Sequence, residues 1–149
     1  MNLASDDGVT QRFYDALFES ACVGVKLGAE IPQMLIVLHA SGKLRTLMPE
    51  AMPDDQCVSL SMEIASHPQV RAVAYVSEAW VALPENDAQA QQAEQLKREH
   101  RLEEYPDRKE AVVINLVTAK RQAQMVCMID RASNSVSKEP LLWLDTERN

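Results

Sequence analysis

The stretch from Val70 to Leu83 constrains the fold most. It is the longest apolar run in the chain with β-branched and aromatic content. At a two-residue period both of its faces are largely apolar. One carries Val73, Tyr75, Ala79, Val81 and Leu83; the other carries Ala72, Ala74, Val76, Trp80 and Ala82. A strand that is apolar on both faces must be covered on both, which puts it inside a sheet with a layer on each side. One acid, Glu78, interrupts the run and is its most unusual residue.

The segments around this strand give an order of elements. Residues 1–8 read as a loose leader. Thr10 is placed to cap a helix from Gln11 to Val25, whose apolar stripe is Phe13, Leu17, Ala21 and Gly24. Gly28 and Pro32 stop it. Gln33–Ala40 reads as a buried strand, Ser41-Gly42 as a turn, and Lys43–Met48 as a more exposed returning strand. A second helix spans Asp55 to Ser66, bounded by Pro53 and Pro68. After the central strand, residues 84–109 form a polar excursion. It holds an Ala/Gln-rich helix capped by Asn86, with Gln89 three residues on. That helix has too little apolar surface to cross over a sheet, so the next strand is expected to return antiparallel to the central one. Glu110–Thr118 and Gln122–Ile129 form a hairpin, Leu141–Leu144 adds a short edge strand, and 145–149 is a polar tail.

These elements predict a single α+β domain over 1–149. It has a mainly antiparallel sheet of about five strands and two packing helices, in the order αββαβββ with a possible further strand. The order is similar to that of profilin-like and roadblock-type domains, a likeness of element order that implies no activity.

A chain of 149 residues buries enough surface to fold without a disulfide or metal. Its net charge of −7, with scattered basic residues, argues against nucleic acid and anionic membrane as partners. No apolar run reaches the roughly 20 residues of a membrane helix. Cys22, Cys57 and Cys127 are widely spaced and read as free thiols, and no signal peptide precedes them; a cytoplasmic protein is expected.

No phosphate loop, dinucleotide fingerprint, nucleophile elbow or zinc-protease motif is present, and neither a cofactor nor a metal is implied. Glu78 is the leading candidate for chemistry. As an enzyme residue it would act as a general base or metal ligand, with His100 and Asp107 of the charge-dense 100–110 run as helpers. As a structural residue it would pair with Arg108 or Lys109, which immediately precede the next strand; the pairing is the expectation adopted here. His39, His67 and His100 show no paired spacing.

The Ser77-Glu78-Ala79-Trp80 stretch, followed by Pro106-Asp107-Arg108-Lys109-Glu110, resembles a pattern of uncharacterised bacterial and phage-type small proteins. The resemblance covers about Val70 to Arg131 and implies no activity.

The expectation is a non-enzymatic domain that associates with itself, as a dimer, or with another protein. One alternative is a small hydrolase-type enzyme using Glu78 with a residue of the 100–110 loop. The other is a small-ligand sensor with a pocket beside Trp80.

Overall fold

The computed structural model describes residues 3–49, 52–106 and 108–145, without the side chains of 3–7 and 145. Helix α1 (Leu3–Lys26) leads into strands β1 (Met34–His39) and β2 (Leu44–Leu47). Helix α2 (Asp54–Ala65) and the central strand β3 (Val70–Val81) follow. Helix α3 (Asp87–Arg98) and a 3-10 turn (Leu102–Glu104) separate β3 from β4 (Lys109–Val117). The chain continues through β5 (Arg121–Asp130) and the two-residue strands β6 (Ser135–Val136) and β7 (Leu144–Asp145). The fold is α+β. The sheet order is β2-β1-β3-β4-β5-β6, with β7 also on β5, and every pairing is antiparallel. The polar excursion does connect antiparallel neighbours, since β3 pairs with β4 from Val73↔Val117 to Val81↔Lys109.

The two faces of β3 are covered by different helices. Ala72, Ala74 and Val76 join Val112, Ile114 and Leu116 of β4 and Ala123, Met125, Cys127 and Ile129 of β5 under α1. Val73 and Tyr75 join Leu35, Val37 and Val117 under Cys57 and Ala65 of α2. This two-sided burial is what the two apolar faces of the stretch require.

Helix α1 differs from expectation at its start. It begins at Leu3, so residues 3–8 are helical and not a loose leader. Thr10 is not a cap; it is 3% exposed, inside the buried stripe that continues through Phe13, Tyr14, Leu17, Ala21 and Val25. A threonine at the buried end of a helical stripe and a threonine at an N-cap look alike in sequence. The stop is as read. Gly28 has φ +73°, its N–H donates to Val25 O, and Ala29 N–H donates to Gly24 O, which together form a Schellman end.

Helix α3 is capped as its sequence indicates, with Gln89 N–H donating to Asn86 Oδ1 at 2.8 Å. The third helix lies in the excursion, outside the αββαβββ frame. One feature of this region was not legible: Tyr105 is 2% exposed inside the charge-dense run and anchors it.

Beneath α2, Gln33 Nε2 donates to Met52 O (2.8 Å) and to Tyr75 Oη (2.7 Å), and Tyr75 donates to Asp54. These bonds join the start of α2 to the central strand. Beneath α1, the Tyr14 hydroxyl donates to Glu139 O at 2.7 Å and ties the segment after β6 to the helix.

Candidate interaction site

Glu78 lies on the α1 face of β3, where the register sets Val112 opposite it. Its partner is Arg131, with Nη2 3.1 Å from Glu78 Oε1. The same nitrogen sits 2.6 Å from Glu110 Oε2, to which Arg131 Nε also donates at 2.8 Å. The expected pairing with Arg108 or Lys109 is therefore replaced by one with Arg131, for a reason of register. β3 continues past Glu78 to Val81, and it is Val81 that faces Lys109. Lys109 is thus displaced along the strand and points to the other face. Arg131 follows Met125, Cys127 and Ile129 at a two-residue period, so it shares the α1 face with Glu78. Both carboxylates hold its guanidinium charged, and Glu110 is the main cause of the raised pKa.

Trp80, two residues along on that face, is stacked by the Arg108 guanidinium, whose Cζ is 4.7 Å from the ring centroid. Arg108 is fixed in turn by its own N–H, which donates to Tyr105 O at 3.2 Å. The guanidinium occupies one side of the indole, where the sensor reading needs a pocket wall. His100 follows the C-cap of α3 as an exposed residue with φ +55°, and Asp107 lies outside the described residues. Around Glu78, then, the described residues assemble a cation bound by two acids and an aromatic–arginine stack. A general base needs a proton to abstract within reach; here Glu78 accepts from a permanently charged arginine.

Elsewhere, described titratable groups meet in contacts between packed elements: Tyr75 with Asp54 beneath α2, and Tyr14 with Cys127 (3.9 Å) beneath α1. An open cleft of about 390 Å³ is lined by His39, Leu60, Glu63, Ile64, His67, Gln69 and Val70. Among the described residues no group of three or more His, Cys, Asp or Glu is placed to hold a metal ion. The thiols of Cys57 and Cys127 are buried, and burial raises the pKa of each, which makes them poor nucleophiles. No described helix is long and apolar enough to cross a membrane.

The strongest functional feature is one the sequence only hinted at. Strand β2 ends the sheet, and all four of its residues are exposed. Leu44 is 61% exposed, Leu47 42%, and Met48, just beyond the strand, 60%. None of its residues belongs to either core cluster, and among the described residues β1 is its one strand partner. His39 N–H donates to Lys43 O at 2.9 Å, which makes 39↔43 a hydrogen-bonded pair. By alternation 37↔45 and 35↔47 are hydrogen-bonded pairs as well. The backbone groups of Leu44 and Thr46 therefore point away from the sheet, and the same alternation carried one residue past the strand would turn those of Met48 the same way. The opposite edge is covered at its two ends: β6 pairs with Ile129 and Asp130 at one end of β5, and β7 with Arg121 and Gln122 at the other, while among the described residues no strand pairs with the outer side of 123–128.

Comparison with protein-family models, with curated proteins and with solved structures finds no match to this chain.

Proposed function

We propose that this chain is a non-enzymatic association domain that acts by strand addition at the free edge of β2, and that it associates first with itself as a two-fold dimer. The observation that carries this reading is the exposure of every residue of β2 while its outward N–H and C=O groups lack a described strand beside them. Exposed edges of this kind template pairing with another chain, and natural proteins usually blunt them. Strands β6 and β7 cap the two ends of β5, whereas no described strand pairs with the outer side of β2, a short edge that still exposes Leu44, Leu47 and Met48. The likeness of element order to profilin-like and roadblock-type domains is compatible with a scaffold for association and carries no more than that. Three free cysteines suit a cytoplasmic setting.

The test is the mass of the intact protein by light scattering over a wide concentration range, beside Thr46→Pro. Thr46 N–H points outward, so proline there removes no bond to β1 and blocks only an added strand. The wild-type mass should rise toward twice the monomer, and Thr46→Pro should stay monomeric. A wild-type monomer throughout would overturn self-association. Equal dimer mass for both proteins would move the interface away from β2.

A further inference from the structure

Resting on that reading, we infer the geometry of the pair: a second copy of this chain adds to β2 antiparallel, with Thr46 on the two-fold axis, so that one sheet runs through both copies. Three constraints select this register from the page. Antiparallel strands related by a two-fold perpendicular to the sheet keep their faces, so even-numbered residues must meet even-numbered ones. Among the described residues no strand pairs with the outward backbone groups of Leu44 and Thr46, and Met48 continues their alternation, so these three must form the hydrogen-bonded pairs. Two centred registers meet both conditions. In one, Arg45 meets Arg45 of the second copy across the axis, and like charges directly opposite are destabilising. In the other, Thr46 meets Thr46, Leu44 meets Met48, and Arg45 meets Leu47.

The second register satisfies the edge chemically. Leu44 and Met48, 61% and 60% exposed, cover one another on the α1 face, once on each side of the axis. On the α2 face Leu47, 42% exposed, lies against the aliphatic stem of Arg45. The threonines at the axis are β-branched residues suited to a cross-strand pair. A contact this short buries less than a standard interface, so the pair should be weak and exchange with monomer.

Cysteine cross-linking reads the register directly. Hydrogen-bonded antiparallel partners have Cα atoms about 5.5 Å apart, within the span of a disulfide. In a Cys22→Ser background, Thr46→Cys and Arg45→Cys proteins would each be oxidised with diamide and resolved on a non-reducing gel. Cys57 and Cys127 are buried and should stay reduced in both. Thr46→Cys should give covalent dimer in several-fold higher yield than Arg45→Cys. The reverse ranking would overturn this register while leaving the β2 dimer in place. Equal low yields with a dimeric mass would put the second copy elsewhere on the surface. A monomeric mass for the wild-type chain would remove the underlying reading, and this inference with it.

Discussion

Arg131 bridges two strands, and its energetic weight can be worked from the structure. Its guanidinium lies 3.1 Å from Glu78 and 2.6 Å from Glu110. The side chains are 37% exposed for Arg131, 21% for Glu78 and 33% for Glu110. At this separation Coulomb's law gives about 1 kcal/mol in water and about 5 at an effective dielectric of 20. Partial exposure and side-chain entropy reduce the net to about 0.5–1 kcal/mol per pair. That is well below the roughly 3–5 kcal/mol lost when one partner of a buried pair is removed. Glu78→Gln should therefore cost about 0.5–1 kcal/mol. Arg131→Gln should cost about 1–2, because it also leaves Glu78 and Glu110 as unneutralised neighbours on one face. The assay is a double-mutant cycle from urea midpoints at neutral pH and one fixed protein concentration, since self-association would shift stability by mass action. The Glu78–Arg131 coupling should be about 0.5–1 kcal/mol and should shrink in 1 M salt, where the Debye length falls to about 3 Å. A salt-insensitive coupling above about 2 kcal/mol would refute the argument, because only a desolvated pair behaves so. A coupling of zero would show that Glu110 alone holds the arginine.

Other consequences follow from particular contacts. Tyr14→Phe removes the bond to Glu139 O and should cost about 1 kcal/mol, with faster tryptic cleavage at Lys138 as the local readout. Tyr105→Ala should cost about 3–5 kcal/mol as an aromatic truncation. It should also speed cleavage at Lys97, Arg98 and Arg101, which the wild-type excursion already offers to trypsin first; first cuts at Lys120 or Arg121 would contradict this. Iodoacetamide at pH 7.5 should modify half-buried Cys22 before the buried thiols, and Cys57 and Cys127 only as the protein opens; mass spectrometry of the time course decides. The Asp15 carboxyl is held below its ordinary range, chiefly by its hydrogen bond to Lys138, whose Nζ is 2.9 Å away. Its folded pKa is depressed, so its small contribution is present above the unfolded pKa of about 3.9 and is lost as pH falls through the folded value. Lys138→Gln should therefore be slightly less stable than wild type at pH 7, with the difference vanishing once pH has fallen through the folded value; a difference that persists in stronger acid would mean packing rather than charge.

The central layer of this fold is legible because its signals are local. Two apolar faces on Val70–Leu83 require two covering layers, and a polar excursion requires an antiparallel return; both are observed. The partner of Glu78 was misread because register is not local. Where β3 ends decides whether Lys109 reaches Glu78, and three residues of extra strand are enough to carry it past. The period-two face of β5 continues from Ile129 to Arg131, and that was the available signal. Tyr105 was hidden by the charges around it, and Tyr14 by a stripe drawn through Phe13 and Leu17 one residue away. Strand β2 poses a different problem. Its loose alternation reads as partial exposure, yet it is exposed along its full length and holds no place in either core. Leu44, Leu47 and Met48 gain little from folding, although each would gain about 1.5–3 kcal/mol from full burial. A soluble chain tolerates scattered apolar residues, but three on one unpaired edge, beside outward backbone donors and acceptors, form a surface. Folding alone leaves that surface unexplained, and pairing with a second edge would bury its side chains and satisfy its backbone in one step.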